Sequence, residues 1–395
     1  RCADPISEAA SRDGALSLPT DRGRGINLIH QPAPRLEVDL DKVYHNAFTL
    51  VARLRKRGIT VTGVTKATLG SPEIAETWLR AGVLGLGDSR VENIGRMRAA
   101  QISKSMTLIR SPMLSQIEEV VALTDVSFNT ELRVIRRLSA AAKRANCTHG
   151  IVLMVELGDL REGIMPSLLQ NTVREVLGLS NILFMGIGTN LACRSGVSPD
   201  CKNMAELSAL ADSIDATFGP IVKTVSGGNS ANLEWAFSGA DLGRINNLRL
   251  GEAMLLGCEP LHRKKIIGLY TSAITLVAEV IELKNKPSKP WGNLAQNAFG
   301  EVISSSERGS ITQAILAIGR QDTDPDGLVP PPGIKILGAS SDHLVVDATN
   351  YRGRMKVGTE LSFQLDYSAL LRAMTSPFIP KVIQRTKMEL QIENA

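Results

Sequence analysis

The chain has 395 residues, 43% of them hydrophobic and 22% charged, the balance of an ordinary folded protein with room for two domains or one large barrel and an appendage. That composition excludes a peptide-sized module and a chain governed by disorder or a fibrous repeat. Its 45 basic and 40 acidic side chains leave a net charge of +5, spread along the sequence and not interleaved with aromatics, so nucleic acid is not an expected partner.

Residues 1–34 are rich in Ser, Asp, Arg, Gly and Pro without sustained periodicity, the pattern of a flexible extension. From there Arg35-Leu36-Glu37-Val38-Asp39 alternates like a strand. Asp41 is placed to cap the next helix, in which Val43, Ala47, Leu50, Val51 and Leu54 recur at helical spacing before Gly58 ends it. Short apolar strands then alternate with amphipathic helices, at 60–65, 83–86, 106–109, 125–128, 151–155, 182–187, 221–225 and 245–250. Eight strand–helix repeats over roughly 200 residues match a (β/α)8 TIM barrel, an α/β fold. A doubly wound sheet can be cut from the same beat, though eight is the number at which a barrel closes.

Beyond Leu261 the texture changes to strands at 273–283, 311–318, 334–337, 344–347 and 360–365, ending in a helical turn near 368–374. The expected domains are therefore an extension at 1–34, a barrel at 35–262 and a mostly β domain at 263–395. The lone strand at 35–39 could also join the second domain. With aromatics at 4% against 34 glycines, small and aliphatic residues must do the packing.

No apolar run approaches the roughly 20 residues of a membrane span. Cys2, Cys147, Cys193, Cys201 and Cys258 are widely spaced with no Cys-x-x-Cys pair, which indicates neither a disulfide framework nor a zinc site and fits a reducing compartment, the cytoplasm. The sequence opens on Arg1, not Met, which leaves room for a removed signal peptide.

A barrel places its catalytic groups at the C-terminal ends of its strands. Lys66 ends the run Val61-Thr62-Gly63-Val64-Thr65, so an amine stands at the mouth of the first strand. It either snorkels out or serves carbonyl chemistry through a Schiff base. After the seventh strand Ser226-Gly227-Gly228-Asn229-Ser230 opens a helical pattern, and Arg249-Leu250-Gly251-Glu252-Ala253 repeats the device after the eighth. Glycine-rich turns on those two strands are where barrels commonly hold phosphate. Together with a Schiff-base lysine on the first strand they point to pyridoxal 5′-phosphate.

These segments, with Gly87-Asp88-Ser89-Arg90-Val91-Glu92-Asn93-Ile94, Leu157-Gly158-Asp159-Leu160-Arg161-Glu162-Gly163, Gly186-Ile187-Gly188-Thr189-Asn190 and Gly319-Arg320-Gln321-Asp322, make the chain resemble the fold-type III pyridoxal-phosphate enzymes, the alanine racemase group, and more closely its ornithine and lysine racemase branch. The resemblance spans about Pro34 to Ile383. It implies that Lys66 binds the cofactor and is one of two racemisation bases. Ser230 and the backbone at Gly251 and Glu252 would hold the phosphate, with Ser226 and Asn229 in the same cradle. Arg249 would face the pyridine nitrogen, and Asn190 stands where alanine racemase has a histidine. Arg161 would lie near the cofactor oxygen and the substrate carboxylate; its alternative is an ion pair with Asp159 or Glu162. The turn Ser340-Ser341-Asp342 would bind substrate carboxylate in a partner subunit, so a homodimer with shared sites is implied.

One departure is serious. The second base of alanine racemase is a tyrosine in a segment that here reads Gly319-Arg320-Gln321-Asp322, with Arg320 in its place, and a guanidinium is a poor base. Asp322, Asp324 and Asp326 supply carboxylates in the same loop, with Asp322 the first candidate for the base and Tyr367 and His343 further ones. Asp322 and Asp324 would also suit the terminal ammonium of ornithine or lysine. The family's phosphate-reaching tyrosine near the chain end has Ile383 in its place. The expected function is interconversion of L and D enantiomers, with a decarboxylase, a D-amino-acid aldolase or a non-enzymatic cofactor carrier as alternatives. No metal is expected.

Overall fold

In the computed structural model, which describes residues 31–302 and 308–385, the first element is strand β1 (Arg35–Asp39), whose last side chain caps helix α1 (Leu40–Arg55). Asp39 Oδ1 accepts from the backbone N–H groups of Asp41 and Lys42 at 3.1 and 3.3 Å, so the cap lies two residues ahead of the Asp41 expected. Asp41 instead puts its charge in the first turn, where the helix dipole favours it. The expected extension falls, up to residue 30, outside the described residues.

Eight strand–helix pairs follow. They are β2 (Thr60–Val64) with α2 (Pro72–Arg80), β3 (Gly85–Asp88) with α3 (Val91–Ala99), β4 (Met106–Leu108) with α4 (Ile117–Leu123), and β5 (Val126–Asn129) with α5 (Leu132–Arg144). Then come β6 (His149–Met154) with α6 (Pro166–Leu177), β7 (Ile182–Gly188) with α7 (Cys201–Phe218), β8 (Thr224–Ser226) with α8 (Leu233–Phe237), and β9 (Asn247–Leu250) with α9 (Glu252–Leu256). Each strand pairs in parallel with the next, and β9 returns to β2 in the register Thr62↔Arg249, so the sheet closes into a barrel. That pairing leaves no open sheet edge and sets the doubly wound alternative aside.

Helices cover the barrel from outside, so its strands can be apolar throughout, and all six residues of β6 are buried. Trp78, Leu86, Met106 and Ile135 belong to the main core, whereas Phe128, Val152 and Met154 of β5 and β6 form a separate cluster. The second cluster supports the mouth, because the Arg249 guanidinium lies over the Phe128 ring, 5.1 Å from its centroid.

The remaining chain builds β10 (Ile274–Pro287), β11 (Ser310–Leu316), β12 (Leu328–Val329), β13 (Lys335–Ala339), β14 (Leu344–Asp347), β15 (Glu360–Leu365), helix α10 (Tyr367–Thr375) and β16 (Lys381–Gln384). Strands β12-β15-β10-β11-β14-β13 pair in that order, antiparallel throughout. β1 joins this sheet, antiparallel to β10 and parallel to β16, so the chain begins in the second sheet and enters the barrel through α1. No helix among the described residues is long and apolar enough to cross a membrane.

One glycine reports how tightly the barrel closes. The β6–β7 register shifts between Ile151 and Val152, and just beyond that bulge Gly186 takes φ 142° with its backbone against Thr224. A Cβ there would stand 2.0 Å from the Thr224 carbonyl oxygen. We expect Gly186→Ala to cost about 3 kcal/mol or more, through strain and lost β7–β8 pairing. Gly178→Ala, whose added Cβ meets nothing nearer than 3.5 Å, should stay within about 0.5 kcal/mol of the parent in urea unfolding.

Candidate active site

Lys66 follows β2 through Thr65, and that turn is fixed from below. Thr65 Oγ1 donates to Asp88 Oδ2 at 2.7 Å, while Asp88 Oδ1 accepts from Arg90 N and Asn93 Nδ2 at 2.9 and 3.1 Å. Burial pushes the Asp88 carboxyl up from its ordinary value, and these three donors oppose the shift. The Lys66 ammonium is thereby presented at the barrel mouth, 5.9 Å from the centroid of the Tyr367 ring. Lys66 Nζ makes no hydrogen bond or ion pair with the described residues.

Arg249, on β9, is 5% exposed and has no carboxylate within ion-pair distance among the described residues. Its guanidinium donates to Ser226 Oγ at 2.7 Å, to the Thr189 carbonyl at 2.8 Å and to Asn190 Oδ1 at 3.2 Å. Burial pulls its pKa down to about 10, so it remains a cation at neutral pH. Ser226 Oγ in turn donates to Asn247 Oδ1 at 2.7 Å, tying β8 to β9.

The loop after β8 keeps the shape its glycines predict. Gly228 takes φ 145°, and a Cβ on it would meet Asn232 Oδ1 at 2.1 Å, the atom that accepts from Asn229 N at 3.0 Å. Asn229 Nδ2 reaches across to Asn190 Oδ1 at 3.1 Å and to the Leu191 carbonyl at 2.9 Å. Ser230 Oγ accepts from Ala253 N at 3.3 Å, which joins this loop to the start of α9 beside Gly251 and Glu252.

A cleft runs across the mouth in two parts that share Lys66, Ile109, Asn190 and Arg249. The part of about 310 Å³ is walled by Asn229, Ser230, Gly251, Glu252, Arg263 and Tyr367, and the part of about 280 Å³ by Arg110, Arg161 and Glu162. Asn190 Nδ2 is buried at their junction and finds no acceptor among the described residues.

A family model described as "Alanine racemase, N-terminal domain" matches residues 38–260. The chain is 37% identical over 350 residues to an ornithine racemase of Acetoanaerobium sticklandii, which covers 88% of this chain and 99% of that protein. It is also 37% identical over 352 residues to a lysine racemase of Thermotoga maritima, covering 89% and 98%. The chain belongs to the alanine racemase family. Its fold is that of the Streptomyces lavendulae alanine racemase, with a TM-score of 0.70 at 19% identity over 90% of this chain and 98% of that one. A D-threonine aldolase from Filomicrobium marinum shares the fold equally well, with a TM-score of 0.70 at 18% identity over 87% and 88%.

Lys66, Asn190, Asn229, Ser230, Arg249, Gly251 and Glu252, all expected at the site, thus converge on one cleft, with Ser226 directly behind Arg249. Arg161 lines it too, but its guanidinium is held by Glu162 in two contacts, the ion pair foreseen as its alternative. Asp159 instead accepts from the backbone N–H groups of Arg194 and Ser195, both at 3.0 Å.

The acidic loop is placed otherwise. Asp322, expected over the barrel mouth, is 6% exposed and accepts from Ser376 Oγ at 2.8 Å, and Asp324 accepts from Ser368 Oγ at 2.5 Å. Neither lines the cleft of its own chain, because each carboxylate ties its loop to α10 or to the turn after it. Arg320 pairs with Glu301 at 3.1 Å, and His343 with Asp342 at 2.9 Å. Ser341 lies beside Arg320 on the second domain, where the carbonyls of Ser340 and Ser341 accept from Arg320 N and Gln321 N at 2.9 and 3.0 Å.

Two cleft residues and the side chain of a third escape the sequence reading. Arg263 looks like part of a connector, Cys193 like one of five unrelated thiols, and Glu252 matters there only for its backbone. Burial pushes the Glu252 carboxyl up to about 7, helped by Asp366 and opposed by Arg263 and Lys66. A signal for Cys193 exists in its spacing, three residues past Asn190 on one mouth loop.

Glu252 and His149 give the fold opposed pH dependences. His149, bonded to Ser127 Oγ at 2.8 Å and buried, is pulled down to about 4 from 6.5. Between those values the unfolded chain binds a proton that the fold excludes, so this stability is complete above 6.5 and lost as pH falls. Folded Glu252 retains a proton that the unfolded chain releases near 4.5, so its share is complete below 4.5 and lost as pH rises through about 7. Each is worth about 3 kcal/mol and they offset one another from pH 4.5 to 6.5. Denaturant midpoints across that range should fall with rising pH in His149→Gln and rise in Glu252→Gln. Parallel profiles for the two variants would contradict both shifts.

Proposed function

We propose that this chain is a pyridoxal-phosphate-dependent racemase of a basic amino acid, ornithine or lysine, acting as a homodimer in the cytoplasm. The observation that carries the reading is a Lys66 amine without a hydrogen bond or ion pair among the described residues, in a cleft also walled by the buried Arg249, which has no carboxylate partner among those residues. The residues present fit the cofactor. Asn190 Nδ2 is a buried donor lacking an acceptor, and Ser230 with the backbone at Gly251 and Glu252 forms a small-residue cradle for a phosphate. Arg249 suits a pyridine nitrogen, because a guanidinium keeps its protons and can only donate to that atom. When bound, pyridoxal phosphate supplies the electron withdrawal that makes an amino acid's α-proton acidic.

The chain's own residues would then divide the work. Lys66 would hold the cofactor and move a proton at the α-carbon, while Arg110, beside the Arg161–Glu162 ion pair, gives the cleft's second part the positive charge that orients a substrate carboxylate. The segments Gly319–Asp324 and Ser340–His343, side by side on the second domain, are the surfaces we expect to complete a partner's cleft, Ser341, Asp322 and Asp324 among them. Relatives named ornithine racemase and lysine racemase support a substrate with a terminal ammonium. The thiols of Cys147, Cys193, Cys201 and Cys258 are free, in keeping with a reducing compartment.

The test is chiral chromatography of L-ornithine and L-lysine incubated with the holoprotein. We expect the D enantiomer to accumulate to equality with no loss of total amino acid, where a decarboxylase or an aldolase would lose mass and a carrier would change nothing. Lys66→Ala should abolish the absorption of the lysine-bound cofactor and lower the rate by about a thousandfold or more. A variant that keeps that absorption would overturn the reading.

A further inference from the structure

Inversion by two bases needs a proton carrier on each side of the α-carbon, and Lys66 accounts for one. Arg320 cannot be the other, because its guanidinium pairs with Glu301 and lies 4.8 Å from the Phe299 ring centroid. Among the described residues of the chain's own cleft, Glu162, Glu252, Tyr367 and Cys193 are the remaining groups able to take up a proton. Glu162 is engaged by Arg161. Glu252 follows β9, the strand that pairs with β2, and so lies on the lysine's side of the mouth. Tyr367 is beside Lys66, on the lysine's own side, and burial followed by the charge of Glu252 pushes its phenol up, which suits a donor.

We propose that Cys193 is the second proton carrier, its Sγ taking and returning the α-proton on the face opposite Lys66. This rests on the racemase reading and adds a catalytic residue to it. Cys193 lies on the loop after β7 and Lys66 follows β2; around the closed barrel β9 and β8 separate those strands one way, and β3 to β6 the other. The two side chains therefore enter the cleft from well-separated sides, with Arg249 on β9, between those strands.

The thiol is also held. Asn229 Nδ2, fixed by Asn190 and Leu191, lies 3.5 Å from Sγ. Arg249 lines the same part of the cleft as Cys193, and Arg161 lines the adjoining part, so the sulfur stands among cationic side chains. Independently, the acceptor-less Asn190 Nδ2 in the same cleft marks this side as one where a ligand must supply a partner. In one direction the Cα–H bond breaks, an S–H bond forms, and the electron pair stays with the α-carbon until an N–H bond of Lys66 breaks to form C–H on the other face. The reverse direction exchanges the two roles, and nothing is oxidised or reduced.

Deuterium exchange at Cα, followed by NMR in heavy water for each enantiomer of ornithine and lysine, tests this. Wild type should wash both enantiomers; if it washes neither, the racemase reading itself fails and the assignment of Cys193 falls with it. Given wild-type exchange, Cys193→Ala and Cys193→Ser should keep the cofactor absorption and affinity of the parent. They should lose racemisation at least a hundredfold, and exchange only the enantiomer whose proton Lys66 takes, without inverting it. Cys201→Ser, on the outer surface, should match wild type. Iodoacetamide should label Cys193 in the apoprotein and be blocked by pyridoxal phosphate together with substrate, as read by mass spectrometry. Racemisation by Cys193→Ala within twofold of wild type would overturn the proposal, as would equal loss of exchange from both enantiomers with the cofactor absorption intact.

Discussion

A buried cation with neutral partners organises the barrel mouth. Arg249 leaves water for a site where Ser226 Oγ, the Thr189 carbonyl and Asn190 Oδ1 accept its protons and the Phe128 ring lies across its face. Desolvating a guanidinium is costly, and a carboxylate would be the usual remedy. Hydrogen bonds and a ring face meet the cost here, and each draws in a different strand: Phe128 from β5, Thr189 and Asn190 beyond β7, Ser226 from β8. Because Arg249 stays charged, the cleft carries uncompensated positive charge alongside Lys66. That is the environment a phosphate and a carboxylate require, and one in which a carboxyl such as Glu252, held by burial, still keeps its proton up to about pH 7.

The second domain serves this mouth in two ways. Through β1, β10 and β16 it is built on both ends of the described chain, and its helix α10 carries Tyr367 onto the lysine of the same chain. Asp366 sets that helix: it caps α10 by accepting from Ala369 N at 2.9 Å and pairs with Arg263 at 3.0 Å. The face with Arg320, Ser341 and His343 is built separately, on the turn after β11 and the hairpin between β13 and β14.

Much of this is legible in the sequence, for identifiable reasons. Parallel strands buried on both sides are written as short apolar runs, and their polar residues gather at one end, so Lys66, Asn190, Ser226–Ser230 and Arg249 announce themselves. Glycines at Gly186 and Gly228 mark backbone that other residues cannot occupy. What stays hidden depends on distant partners. Strand Arg35–Asp39 pairs with segments more than 200 residues away, so its sheet is ambiguous from local pattern. Asp322 reads as an active-site acid until Ser376, 54 residues later, is seen to bind it in the second domain. Cys193 and Glu252 are legible as residue types but not as cleft walls, since the loop and the short helix that aim them carry no distinctive periodicity.

The central claim is that a proton-retaining guanidinium, Arg249, and not a carboxylic acid, would face the ring of bound pyridoxal phosphate. The most direct measurement is the ¹⁵N chemical shift of the pyridine nitrogen in the protein reconstituted with ring-labelled pyridoxal phosphate. Since burial lowers Arg249 only to about 10 and leaves it a cation, the account predicts an unprotonated, hydrogen-bonded nitrogen at every pH from 6 to 9. A protonated ring nitrogen in that range would contradict it.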